Sequence, residues 1–136
     1  MTAIPQKPRP NASKIIKINI DQQIVEAFEG STKVFRFECV TGDRDHPADR
    51  GLFRIIRKPY FRYRSHAYNV QMNYPLFFTH DGKALHQYHG PMPLWAVRSA
   101  RSVSDWVGSH GCVRLVEDDA KGIYEWASIG TAVHVL

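Results

Sequence analysis

Apolar and polar residues alternate in the first third of the chain, and this alternation restricts the fold to one that begins with β-strands. In segment 14–20, isoleucines occupy every second position from Ile16 to Ile20, and the residues between them are polar. Because side chains of a strand point alternately to its two faces, this segment has one apolar face. Turn residues separate it from two similar segments, 23–28 and 33–40. The sequence therefore predicts an opening β-meander in which Cys39 is a packing residue.

The alternation continues beyond the meander. Segment 52–57 has the pattern of a fourth strand. Segments 76–80 and 83–89 flank Asp81-Gly82, a dipeptide typical of tight hairpin turns, so a β-hairpin is predicted there. The last residues, 131–136, again have the pattern of a strand.

One segment has the period of a helix. Apolar residues recur at helical spacing from Ala120 to Ala127, three acidic residues precede them at 117–119, and Gly130 follows. The remaining segments, 41–50, 58–73 and 91–108, are predicted as loops. The sequence therefore predicts a mainly β fold, a sandwich-like or mixed array of sheets, with one packed α-helix near residues 117–128.

The composition fits a single globular domain. The chain has 136 residues, of which 43% are hydrophobic, enough for one core. Segment 1–13 is rich in proline and polar residues and is predicted to be a flexible arm before a domain at 14–136. No apolar run approaches the roughly 18 residues of a membrane span, and the start lacks the apolar centre of a signal peptide. We expect no transmembrane segment and no export signal in this chain.

The net charge of +5 favours an anionic partner, either a nucleic acid or an anionic cell wall. A basic and aromatic stretch at 50–64 could form a nucleic-acid surface. Such runs are more often the solvated face of a strand with its loop, and we expect no nucleic-acid partner. The sequence leaves the oligomeric state open.

Segment 109–114 reads Ser-His-Gly-Cys-Val-Arg and holds one of the two cysteines. A partly exposed thiol becomes a nucleophile where a base or positive charge favours its thiolate and backbone N–H groups stabilise an oxyanion. Cys112 follows an imidazole and precedes a guanidinium, and Gly111 lets the backbone approach a substrate. We interpret Cys112 as a nucleophile, the alternative being a buried apolar cysteine.

This segment, followed by Leu115 and preceded by His89-Gly90, resembles the signature of the L,D-transpeptidase catalytic domain, the YkuD family. The resemblance extends from about Lys14 to the C-terminus, and it implies a YkuD-like fold. Further matching segments are 40–42, 47 with 51–53, 74–78, 84–90 and 130–133.

The resemblance implies catalytic roles around Cys112. His89 would be the general base that takes the thiol proton, with its ring oriented by the backbone carbonyl of Gly90. The N–H groups of Gly111 and Cys112 would form an oxyanion hole. His110 would be a positioning hydrogen-bond group beside the thiol.

Three further residues would shape the substrate site by the same resemblance. Arg114 would bind a carboxylate or brace the site, since a guanidinium grips a carboxylate through two hydrogen bonds. Ser109 would buttress the turn. Tyr74 and the tyrosines of segment 58–73 would form a wall or lid of a substrate groove.

The substrate implied by the resemblance is a tetrapeptide stem of peptidoglycan, located in the periplasm or cell wall. Cys112 would form a thioester with release of D-alanine, and an amine of a neighbouring stem would then accept the acyl group. Carbapenem-type lactams would be covalent inhibitors. The alternatives are an L,D-carboxypeptidase or a delivered antibacterial effector with the same acylation, and a non-catalytic module that binds wall or nucleic acid.

Strand alternation predicts to which face of the strand His86 and His89 point. On the strand at 83–89, His89 shares a face with Leu85 and Gln87, while His86 points to the other face, so we expect only His89 to face the site. A zinc site would need His86 and His89 together with His110 and Cys112. His86 and His89 point to opposite faces of the strand, and the sequence has no Cys-x-x-Cys or His-Glu-x-x-His spacing. Both observations argue against zinc, and no metal or cofactor is predicted.

Overall fold

The computed structural model describes residues 13–41, 50–65, 70–90, 92–100 and 112–136. The predicted arm lies outside these ranges, apart from its last residue. The strands are β1 (Lys14–Asn19), β2 (Ile24–Glu29), β3 (Thr32–Glu38), β4 (Gly51–Arg54), β5 (Arg64–Ser65), β6 (Val70–Gln71), β7 (Leu76–Phe77), β8 (Ala84–Gln87), β9 (Val113–Leu115) and β10 (Ala132–Val135). The helices are α1 (Leu94–Ala100) and α2 (Glu117–Trp126).

The largest sheet has five strands in the order β3-β2-β1-β10-β4. Its first three strands are the predicted antiparallel meander, and Gly30, at φ 60°, makes the turn between β2 and β3. The C-terminal strand β10 pairs in parallel with β1 and antiparallel with β4. The first and last segments of the domain are therefore neighbours in the middle of one sheet.

A second sheet, of three strands in the order β7-β8-β9, carries the cysteine segment. Strands β7 and β8 form the predicted hairpin, with Gly82 at φ 96° in its turn. Strand β9 pairs in parallel with β8, so both strands begin at the same edge. Cys112 directly precedes β9 and therefore lies at the edge that also carries the β7–β8 turn.

The main core unites both sheets and α2. Ile16 and Ile18 of β1 are fully buried, as their alternation predicts, and Cys39 is buried as well. From the second sheet, Leu85 and Val113 join the same cluster, and Ile123 joins it from α2. The predicted mainly β fold with a helix close to residues 117–128 is confirmed.

Two segments predicted as loops contain regular structure. Segment 91–108 begins with α1, whose Leu94 and Val97 pack with Val40 in a small separate cluster. Segment 58–73 forms part of a hairpin whose β5 and β6 pair antiparallel. This hairpin continues to residue 74, because the N–H groups of Met72 and Tyr74 donate to the carbonyls of Tyr63 and Phe61. Residues 66–69 lie outside the described residues.

Candidate active site

Cys112 lies on the face of the three-stranded sheet that points away from the main core. In the parallel register, Leu85 pairs with Val113 and His86 pairs with Arg114. Val113 and Leu85 belong to the main core, so the alternating neighbours Cys112, Arg114 and His86 share the opposite face. The register thus decides which side chains meet the thiol.

The thiol is enclosed by apolar side chains. Cys112 is 1% exposed and clusters with Met72, Phe77 and Ala84, against which Tyr63 packs. The Cys112 Sγ donates a weak hydrogen bond to the Gly82 carbonyl at 3.9 Å. Sequence reasoning expected a partly exposed thiol, but the 61–74 hairpin brings Tyr63 and Met72 onto it. Tyr63 and Met72 are therefore part of the apolar surroundings of the thiol.

Burial also determines the charge of the thiol. Removal from water raises the pKa of Cys112 to about 11, because the thiolate loses its solvation. A backbone hydrogen bond from Ala84 and the charges of Arg114 and Lys83 lower the pKa, while Asp81 raises it, and the net shift is upward. Near neutral pH Cys112 is a protonated thiol, so it needs a base in order to attack a carbonyl.

His86 is the imidazole on the same face as the thiol. Because His86 pairs with Arg114, it lies one strand across and two residues along from Cys112, which places their Cα atoms roughly 8 Å apart. The ring is buried, with 6% exposure, and its Nδ1 lies 2.8 Å from the Gln87 carbonyl oxygen. Since a carbonyl only accepts, Nδ1 carries the proton and Nε2 keeps a lone pair.

The environment of His86 keeps this imidazole neutral. Its pKa is lowered to about 4, mainly because burial removes the solvation of the charged ring. The hydrogen bond to Gln87 raises the pKa, and the charges of Arg114 and His89 lower it. A neutral ring with its proton on Nδ1 can accept a proton at Nε2, but a pKa of about 4 makes it a weaker base than an ordinary imidazole.

His89 lies elsewhere. It follows the end of β8 and is exposed, and five residues separate it from Ala84, the residue level with Cys112. At a rise of about 3.3 Å per residue, an extended chain would carry it roughly 16 Å along the sheet. The observed register places His86 on the face of Cys112, whereas His89 lies beyond the paired residues and its role at the site stays a prediction.

Arg114 is held by an aromatic ring. Its guanidinium carbon lies 5.3 Å from the centre of the Tyr88 ring. Gly90 lies against the same ring, and a Cβ at Gly90 would collide with Tyr88. The structure therefore gives Gly90 a packing reason to be glycine, and Tyr88 links it to Arg114.

Tyr74 packs on the side of the main core rather than in the cluster around Cys112. It adopts a left-handed backbone conformation with φ 55°, and its ring lies 5.5 Å from Phe61 and 5.7 Å from Tyr124. Ser109, His110 and Gly111 lie outside the described residues. The predicted oxyanion hole is therefore described only at its last member, Cys112.

The buried imidazole has a consequence for stability. In the unfolded chain a histidine binds a proton near pH 6.5, whereas native His86 binds one only near pH 4. Between these values the unfolded state holds more protons, so the free energy of unfolding should fall by about 3 kcal/mol as the pH drops. Urea unfolding of wild type and His86→Gln at pH 7 and pH 4.5 measures this, with the exposed His80→Gln as the control. An equal pH dependence in wild type and His86→Gln would contradict it.

Among the described residues, no three metal-ligating side chains gather into a group. In the same part of the chain, no helix combines the length and apolar character needed to cross a bilayer.

Comparison with known proteins gives a family match over most of the chain. The family model described as YkuD, L,D-transpeptidase catalytic domain, matches residues 13–135. No curated protein sequence matches the chain at a significant level.

Solved structures resemble the fold. An L,D-transpeptidase from Stackebrandtia nassauensis is 24% identical to this chain, with a TM-score of 0.76. The match covers 99% of this chain and 60% of that protein. An L,D-transpeptidase from Mycobacterium smegmatis is 20% identical with a TM-score of 0.72, covering 92% and 59%. L,D-transpeptidase 3 from Mycobacterium tuberculosis, solved with a faropenem-derived adduct, is 18% identical with a TM-score of 0.71, covering 90% and 60%. The chain thus spans about 60% of the length of these proteins.

Proposed function

The chain belongs to the YkuD family of L,D-transpeptidase catalytic domains, and on that premise we propose that it acylates Cys112 with a peptidoglycan stem peptide. D-Alanine leaves in this step, and the acyl group passes to an amine of a neighbouring stem. The reaction would take place in the periplasm or cell wall, where stem peptides lie.

The observation that carries the proposal is the shared face of Cys112 and His86. A buried neutral thiol and a buried neutral imidazole lie on adjacent strands, and the imidazole has its Nδ1 occupied by the Gln87 carbonyl. Its free Nε2 is the nitrogen that can take a proton. We therefore assign the base role to His86, and the role first predicted for His89 becomes the alternative in the same experiment.

The mechanism follows from these protonation states. His86 Nε2 takes the Cys112 proton as Sγ attacks the carbonyl carbon of the third stem residue. The N–H groups of Gly111 and Cys112 would stabilise the oxyanion, typically by about 3 kcal/mol per donor. The carbon–nitrogen bond then breaks, the imidazolium returns its proton to the leaving D-alanine amine, and a thioester remains. An incoming amine attacks the thioester carbonyl and His86 accepts its proton. The carbon–sulfur bond then breaks, and His86 passes the proton to the departing thiolate, which restores the thiol.

The other predicted residues keep supporting roles in this proposal. Arg114, fixed against Tyr88 on the face of the thiol, would bind a substrate carboxylate or brace the site. Ser109 and His110 would hold the turn before Cys112. Because a related protein was solved with a faropenem-derived adduct, we further propose that carbapenem-type lactams acylate Cys112.

The test is a reaction of purified protein with disaccharide-tetrapeptide, followed by mass spectrometry of protein and products. A protein adduct, release of D-alanine and formation of cross-linked dimers would support the transpeptidase. Tripeptide without dimers would instead indicate an L,D-carboxypeptidase. Binding of wall fragments with neither adduct nor product would contradict the catalytic proposal.

A further inference from the structure

Arg57 lies at the far end of the row of side chains that contains Cys112. Phe77 pairs with Ala84, and Ala84 lies level with Cys112, so these three residues lie side by side on adjacent strands. On the other side of Phe77, Arg57 forms an antiparallel bridge to it. The Arg57 guanidinium carbon lies 4.2 Å from the centre of the Phe77 ring and 5.4 Å from that of Tyr63. Arg57 therefore stacks on the rings of the Cys112 cluster.

The polar contacts of the Arg57 side chain are long and involve a neutral partner. Within the described part of the chain, its polar contacts are two long hydrogen bonds of 3.4 Å to the Tyr63 hydroxyl, and no ion pair joins it to a carboxylate. Arg98 is different, since its guanidinium donates to Glu38 and to the carbonyls of Cys39 and Gln23. A guanidinium that is stacked on rings and held only by two long hydrogen bonds to one neutral hydroxyl can exchange them for the two hydrogen bonds of a carboxylate.

The separation between Arg57 and Cys112 fits a carboxylate of the proposed substrate. Strands are spaced by about 4.8 Å, so a group over Phe77 is roughly 10 Å from the position of Cys112. In a stem peptide, the second residue is a glutamate joined through its side chain, which leaves its α-carboxylate free. About seven bonds, roughly 8–9 Å when extended, separate this carboxylate from the carbonyl of the third residue.

We propose that Arg57 is a specificity residue that binds the free α-carboxylate of the γ-linked glutamate next to the acylated residue. This inference rests on the proposed function, because it assumes that a stem peptide acylates Cys112. It adds a preference: stems with a free carboxylate at this position react faster than stems in which it is amidated.

The experiment compares two tetrapeptide stems that differ only in this group, a carboxylate or a carboxamide. In Arg57→Gln, we expect kcat/KM for the carboxylate stem to fall about 10- to 100-fold, as for loss of a charged hydrogen-bonded pair. The amidated stem should change less than about twofold by the same reasoning. Arg57→Lys should keep part of the preference. Arg36→Gln, an exposed site on β3, is the matched charge control.

The outcomes separate this inference from the proposed function. The amidated stem, which has no carboxylate at this position, should react in Arg57→Gln at close to the wild-type rate. If Arg57→Gln slows both stems equally, the residue is only structural and the inference is overturned. If wild type reacts with neither stem nor lactam, the proposed function itself fails.

Discussion

Cys112→Ala should abolish acyl-enzyme formation, whereas Cys39→Ala should form the adduct at close to the wild-type rate. Both thiols are buried, so burial alone does not distinguish them. Cys112 has Arg114 and Lys83 near enough to affect its pKa, and His86 lies on its face of the sheet. Cys39 belongs to the main core, and its carbonyl, which accepts from Arg98, is retained in the alanine variant.

Intact-mass spectrometry after mixing with a carbapenem measures this difference directly. Wild type and Cys39→Ala should each gain one adduct, and peptide mapping should locate it at Cys112. An adduct on Cys112→Ala, or its loss in a folded Cys39→Ala variant, would contradict the assignment. Circular dichroism of both variants controls for folding.

Local patterns predicted much of the fold. The meander β1–β3 and helix α2 were predictable because alternation and helical spacing are properties of neighbouring residues. The Asp81-Gly82 turn and the burial of Cys39 follow from the same kind of reasoning. These features need no knowledge of which segments meet in space.

Elements stabilised by distant contacts were missed. Helix α1 is only seven residues long, and Leu94 and Val97 gain their burial from Val40, far away in sequence. Strands β5 and β6 have two residues each, too few for alternation to be recognised. Tyr63 and Met72 of this hairpin cover the thiol, so its burial could not be predicted either.

The sequence allowed a prediction for Cys112 but not for its neighbours in space. The motif at 109–114 predicts Cys112 as the nucleophile, because the residue types that favour this chemistry are adjacent in the sequence. Alternation predicts that His86 and His89 point to opposite faces of the strand. It could not show which face Cys112 shares, since that depends on the register between β8 and β9. A shift of this register by one residue would place the face of His89, rather than that of His86, on the side of Cys112.

His86→Gln is therefore expected to slow acylation of Cys112 by about 10²- to 10⁴-fold, the usual contribution of a general base. His89→Gln should change the rate little, since the exposed ring lies beyond the end of β8. The two variants remove the same group three residues apart, so each controls for the other. Rates from mass spectrometry with a carbapenem and with tetrapeptide stems give the comparison.

The pH profile distinguishes a base from a residue that only supports the fold. Acylation requires neutral His86, whose pKa is about 4, so the rate should stay high from neutral pH down to about pH 5 and fall below it. The thiol does not limit this range, because its pKa of about 11 keeps it protonated and the base removes its proton during attack. A rate that falls near pH 6.5, the ordinary value for histidine, together with a large loss in His89→Gln, would return the base role to His89.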